Sequence, residues 1–358
     1  MKRLFALLSV VLSLCMLCGC MGTPVIYHEN CDCPTTGTTP TNDTPTDTTP
    51  AGEGALKTGF VLLTDVSDSS SATAEKNGEG KYDVTMVAVL VDDEGIIRDC
   101  IIDGVSCSVK FDTAGQITSD LTAPVQTKNE LGESYGMVTY GHAKYEWNVQ
   151  AQALADFAVG KTAAQLRDGA IDETGKAPAG SDLASSATIY LGGYVSAIEL
   201  AVNNASYLGA QSTDTLHLAA LCDVSGSKYA DENGGMTQLE ITATALTMHE
   251  DTISSCTIDS VQAKVNFDAN GAITTDLTKP VQTKNELGES YGMVAYGHAK
   301  YEWNEQAASF AKYVTGKTAA EVAGIAVGEG TKPTDADLAA SVTIAIGGFQ
   351  ALIEKAVQ

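Results

Sequence analysis

From Tyr82 the chain reads YDVTMVAVLV, breaks at the polar DDEG of residues 92–95, and resumes as IIRDCIIDGVSCSVKF before a second break at DTAGQ. Short β-rich runs separated by turn residues predict a meander of antiparallel strands. After His142 the period changes. In AKYEWNVQAQALADFAVG, Trp147, Ala151, Leu154, Phe157 and Ala158 recur at helical spacing, predicting a helix closed by Gly160 as its C′ residue. Thr162 reads as the cap of a short helix over AAQL. The last periodic stretch starts at Ser181 or Asp182. There Leu183, Ala187, Leu191, Tyr194, Ile198 and Ala201 fall on one stripe of a single long helix. Strands followed by helices predict the α+β class, with helices packed on one sheet face.

The whole pattern then occurs again. PVQTKNELGESYGMVTYGHAKYEWN (Pro124 to Asn148) returns from Pro280 to Asn304 at an offset of 156, with only Thr139/Ala295 different among 25 positions. The same offset aligns Cys100 with Cys256 and GKTAA at Gly160 with GKTAA at Gly316. Identity is uneven: between Tyr82–Cys100 and Gln238–Cys256 only four of nineteen positions agree. Two tandem α+β domains are predicted, 57–205 and 210–358, each a sheet followed by helices, with a linker around Asn204 to Ser212. In the second, Thr334 and Asp337 read as a capping box ahead of Leu338, Val342, Ile346, Phe349 and Ile353.

The first residues follow another logic. A basic start at Lys2 and Arg3 precedes an apolar run from Leu4 to about Met16, too short for a membrane span. It ends in Leu17-Cys18-Gly19-Cys20, which resembles a bacterial lipoprotein signal, 1–20, lipidated on Cys20. The Thr/Pro-rich residues 21–56 hold almost no large apolar side chain and read as a solvated tether. The expected location is therefore a bacterial membrane surface, outside the cytoplasm, reached through the lipid anchor. A formal net charge of −24 argues against nucleic acid as a partner. Cys100, Cys107, Cys222 and Cys256 show no C-x-x-C spacing, and a buried apolar thiol is the reading for the equivalent pair Cys100 and Cys256.

Catalytic motifs are missing: there is no G-x-S-x-G, no H-E-x-x-H, no phosphate loop and no G-x-G-x-x-G after a strand. One candidate surface is the duplicated block. Its Lys128, Glu130, Tyr135, His142 and Trp147, with Lys284, Glu286, Tyr291, His298 and Trp303, mix charge and aromatic rings as a ligand face would. Two copies would give avidity to a cofactor-free surface binding module or adhesin-like lipoprotein.

The other candidate is the run Asp182-Leu-Ala-Ser185-Ser186-Ala187-Thr188. It resembles the flavinylation signature of the FMN-binding domain family, Asp-x-x-Ser/Thr-Gly-Ala-Thr. Glu94-Gly95-Ile96-Ile97 stands where that family has a turn between early strands. The resemblance implies a covalent FMN on Thr188, attached from FAD by a metal-dependent flavin transferase, with Asp182, Ser185 and Ala187 as recognition residues. It further implies an electron carrier with a redox partner rather than an enzyme with its own substrate. Ser186 replaces the family glycine. The second repeat keeps Asp337 and Thr343 but loses the Ser/Thr, Gly and Ala, so Thr343 reads as a degraded counterpart. Asp182 also reads as a plain helix cap, with Thr188 packed in the second turn of the helix.

Overall fold

The computed structural model describes residues 54–358, so the signal, Cys20 and all but the last residues of the predicted tether lie outside the described residues. The described residues belong to one compact unit, and the fold is α+β. The first half runs β1 (Ala55–Asp65), β2 (Gly78–Val91) and β3 (Ile97–Phe111), then α1 (Lys128–Leu131), α2 (Trp147–Ala158), α3 (Ala163–Ala170), α4 (Asp182–Ser186) and α5 (Gly192–Asn203). The second half runs β4 (Ser206–Gln211), β5 (Thr215–Asp223), β6 (Lys228–Asp231), β7 (Gly234–His249) and β8 (Thr252–Phe267). It ends in α6 (Lys284–Leu287), α7 (Trp303–Val314), α8 (Ala319–Ala323), α9 (Ala336–Ser341) and α10 (Gly347–Ala356). None of the described helices is long and apolar enough to cross a membrane.

All strand pairs are antiparallel, as the meander predicts. The first sheet has the order β3-β2-β1-β4, and in the second β7 pairs with β8, β5 and β6. The segment expected to be a linker is instead strand β4, which joins the first sheet at the edge of β1.

Strand β2 reads as a near-continuous apolar run because both its faces are covered. Val87, Val89 and Val91 pack with Trp147, Leu154, Val195 and Ile198 of the helices. Tyr82, Val84 and Met86 point the other way and pack on Leu239, Ile241, Ala243 and Val261 of the second sheet. The second sheet repeats the arrangement, with Leu246 and Met248 under Phe310, Leu352 and Ile353. The order of layers is therefore helices, sheet, sheet, helices. Full burial of each such Val, Leu or Ile contributes about 1.5–3 kcal/mol, which makes the seam between sheets a core in its own right. Phe111 stacks on Phe267 across it with ring centroids 3.9 Å apart, and the Tyr82 and Thr237 hydroxyls share a hydrogen bond of 2.7 Å. On the outer side α5 rests directly on β1: a Cβ at Gly59 would lie 2.0 Å from the Ala201 carbonyl oxygen.

Strand register corrects the simple repeat alignment. Val89 faces Cys100 in the first sheet and Leu246 faces Cys256 in the second, so β2 and β7 correspond at an offset of 157, not 156. The β7–β8 hairpin is one residue shorter than the β2–β3 hairpin. Since a one-residue slip moves side chains to the opposite face, ungapped comparison pairs residues from different faces, which is why that stretch looked so dissimilar. Structurally, Asp83 corresponds to Glu240 and Lys81 to Gln238.

Several local expectations hold. Gly160 is left-handed just past α2, and Thr162 caps α3 in a capping box with Gln165. The described cysteines are free, and burial pushes the Cys256 thiol up to about 12 and the Cys100 thiol higher than usual. The C-terminal stripe does not form one helix. Leu183, Ala187, Leu191, Ile198 and Ala201 are all buried, but α4 stops at Ser186 and Ala187 is extended, at φ −128° and ψ 113°. Helix α9 is capped by Asp335, whose carboxylate accepts from the N–H groups of Asp337 and Leu338, and not by a box of Thr334 with Asp337.

Candidate functional site

The break between α4 and α5 has an identifiable cause in the buried Gln150 of α2. Its side-chain oxygen accepts from the Thr188 N–H at 2.7 Å, the Ile189 N–H at 3.1 Å and the Thr188 hydroxyl at 3.1 Å. Its amide group donates to the Tyr145 carbonyl at 2.8 Å. Continued helix would direct the Thr188 and Ile189 N–H groups to carbonyls one turn back. One of those, the Ser185 carbonyl, instead accepts from the Lys144 ammonium at 3.0 Å. Thr188 therefore sits in an exposed, non-helical link and not in a second helical turn. Gln306 makes the same set of bonds to Thr343 and Ile344, and Lys300 takes the Ala340 carbonyl.

Around the threonine the motif residues have plain structural duties. Ser181 caps α4, accepting from the Ala184 N–H at 3.1 Å. Asp182 is exposed in the first turn, and the Ser185 hydroxyl donates back to its carbonyl. Ala187 is buried against the core, so a small side chain fits there; its counterpart Val342 is equally buried. Asp337 is exposed and Thr343 half-buried.

Beside Thr188 the two candidate regions meet. A cleft of about 540 Å³ is lined by Leu63 and Thr85 of the sheet, by Lys128, Tyr135, Met137 and Trp147 of the duplicated block, and by Ile189, Tyr190, Gly193 and Tyr194 after the threonine. That volume is in the range of small-ligand pockets. The Trp147 indole N–H donates to the Tyr194 hydroxyl at 3.0 Å, and their rings meet edge to face. Lys128 is only 8 % exposed, with its ammonium 5.0 Å from the Trp147 ring centre and 5.4 Å from that of Tyr135. Burial pulls its pKa below the usual lysine value. Gly192 and Gly193 open α5 rather than interrupting it, and no side chain caps that helix. Tyr190 covers Gly192, while space beside Gly193 is open.

The rest of the duplicated block builds this wall. Glu130 and Glu286 close capping boxes with Thr127 and Thr283. Glu146 is buried and accepts from the N–H groups of Met137 and Val138 at 2.8 and 3.0 Å, fixing the loop that precedes α2. Asp103 and Asp259, buried on β3 and β8, accept from the N–H groups of Asn129 and Asn285 at the start of α1 and α6. Burial raises both carboxyls, Asp259 to about 6. His142 and His298 are exposed in left-handed backbone and stand apart from the cleft, as do Tyr140 and Tyr296, 82 % and 86 % exposed. In the second repeat Lys284, Tyr291 and Trp303 keep the same mutual contacts. Tyr190 and Tyr194, however, are replaced by Ala345 and Phe349.

Gln150 and Gln306 are the residues of the candidate site that sequence reading passes over. The signal was present: a glutamine in both repeats on the buried helical stripe of Trp147, Ala151 and Leu154, or of Trp303, Ala307 and Phe310. A polar side chain kept at such a position needs partners.

Comparison with protein-family models, with curated proteins and with solved structures returns no match.

Proposed function

We propose that the first repeat is a covalent FMN carrier, modified on Thr188, in a lipid-anchored protein that works in electron transfer outside the cytoplasm. The observation that carries this reading is the placement of Thr188: exposed, outside any helix, and followed at once by Ile189 and Tyr190, which line an aromatic cleft. A hydroxyl in that position is reachable by a modifying enzyme, and a planar ring attached there has a wall of Tyr135, Trp147 and Tyr194 beside it. Attachment breaks the FAD pyrophosphate, releases AMP, and forms one phosphoester bond to Thr188 Oγ1 as the hydroxyl proton leaves. The attached flavin supplies reversible electron transfer, with electrons delivered and removed by redox partners.

The chain's own residues prepare for that bond. Gln150 holds the threonine backbone and receives its hydroxyl proton in a hydrogen bond, so the acceptor is oriented before it reacts. Ala187 keeps the approach small. The second repeat has the same glutamine clamp around Thr343 but a half-buried threonine and a cleft without Tyr190; it is the weaker acceptor. A second reading, a cofactor-free binding module, is supported by the outward-facing Tyr140 and Tyr296 in the duplicated loops.

The test is intact mass of the compact unit, exported together with a flavin transferase, as wild type, Thr188→Ala and Thr343→Ala. One FMN-sized addition, lost in Thr188→Ala and kept in Thr343→Ala, is the expected result. No added mass and no flavin absorbance in wild type would retire the carrier and leave the exposed loops.

A further inference from the structure

We propose that the cleft of the first repeat is a recognition site for a planar aromatic anion, with Lys128 as the group that takes the negative charge, and that the second repeat has lost this property through an internal ion pair. The argument begins with a lysine that is buried twice in one molecule. Lys284 is buried and paired: its ammonium lies 3.0 Å from Glu240. Lys128 is buried and, among the described residues, has neither an ion pair nor a hydrogen bond. Two aromatic rings are its neighbours, and the cleft is its opening to solvent.

Register explains the difference. Asp83 occupies the place of Glu240 but is one methylene shorter, and Lys81 draws it away at 3.2 Å, where the second repeat has the uncharged Gln238. Asp83 and Asp103 act on the Lys128 ammonium through their charge, but neither bonds to it, and a buried ammonium without a bonded carboxylate is costly unless something else compensates it. The second feature of the site points the same way. Helix α5 is twelve residues long and begins at Gly192, whose N–H donates to the Gly175 carbonyl at 3.0 Å; the next two residues, Gly193 and Tyr194, line the same cleft and among the described residues their N–H groups have no such partner. The N–H groups of a first helical turn lack intrahelical partners and favour an anion. With Trp147, Tyr135 and Tyr194 as ring-binding surfaces, the ligand class is an aromatic ring system bearing an anionic substituent. The attached flavin of the reading above belongs to that class, but the site needs no covalent bond.

The experiment uses the compact unit made without a transferase, carrying Trp303→Phe so that Trp147 is the sole tryptophan. FMN and riboflavin share one ring system and differ in the phosphate. Quenching of Trp147 should show FMN bound at least about tenfold more tightly than riboflavin, the scale of one charge-assisted hydrogen bond. Lys128→Met should abolish the preference and leave riboflavin binding in place. Asp83→Glu with Lys81→Gln, which copies the second repeat and leaves Lys128 untouched, should do the same, and it serves as the test if Lys128→Met does not fold. Equal binding of the two flavins, a preference that survives the Asp83/Lys81 exchange, or no binding of either would overturn the proposal. Its fate is separable from that of the carrier. A Lys128-dependent preference in a chain never modified on Thr188 sinks only the covalent reading, and modification with no such preference sinks only this one.

Discussion

The surroundings of Lys128 and Lys284 are built from nearly the same residues and differ in where one carboxylate reaches. Around Lys284 the charge is settled within the protein by Glu240; around Lys128 it is left facing the cleft because Asp83 is short and held by Lys81. A 25-residue block that differs at one position therefore does not make identical sites. Its identity preserves a scaffold of caps, buried carboxylates and a cation, while the sheet beneath and the helix link opposite decide what that scaffold presents. The lesson is that a duplicated segment must be read together with its unduplicated neighbours.

The comparison can be stressed at three points. The largest effect is expected where the repeats agree. Gln150→Leu and Gln306→Leu each remove one acceptor shared by three donors and one donated bond, which should cost about 2–4 kcal/mol in each repeat. Equal losses in urea unfolding are expected, and a much larger loss for one glutamine would break the equivalence of the clamps.

Next comes pH. Asp259 has an ordinary value of 3.8 and a folded value of about 6, set first by burial. The folded state thus binds the proton more tightly than the unfolded chain. Its contribution is fully present below pH 4 and is lost as pH rises to about 6, a change of up to about 3 kcal/mol. Unfolding free energy measured between pH 4 and 6.5 should show this slope, and Asp259→Asn, which keeps the accepting oxygen, should flatten it. Asp103→Asn should flatten a slope of the same sign in the first repeat.

The smallest effect sharpens the contrast between the lysines. Glu240→Gln strips Lys284 of its partner and should cost about 1 kcal/mol, reduced because the glutamate is one-third exposed. Asp83→Asn should cost less through Lys128, because Asp83 acts on that ammonium through its charge alone and not through a bond. Equal costs in thermal unfolding would mean that Asp83 already compensates Lys128.

How much of this was legible beforehand follows from what each pattern encodes. β-rich runs between turn residues announced β2, β3, β7 and β8, and helical spacing announced α2, because both signals are local; β1, β5 and β6 lie outside those runs. The α4–α5 break was hidden because its apolar residues keep helical spacing across the gap. The interruption is imposed by Gln150, 38 residues away. The Asp83–Glu240 correspondence was hidden by a one-residue difference in hairpin length that only strand pairing reveals. Strand β4 was taken for linker because six residues with Gly209 carry little apolar signal. At the site, the repeat singled out the duplicated block and a resemblance singled out the Asp182–Thr188 run, but their convergence on one cleft depends on tertiary packing.

The layer order has a consequence for traffic to and from the protein. Because the sheets meet back to back, the Lys128 cleft and the Lys284–Glu240 pair lie on the helical sides of different sheets. A partner seated against Lys128 and Trp147 leaves the Lys284 side unobstructed. The two faces thus differ in charge, with a buried, unpaired ammonium opening on the cleft of one and a closed ion pair on the other, and the Phe111–Phe267 stack forms part of the partition between them.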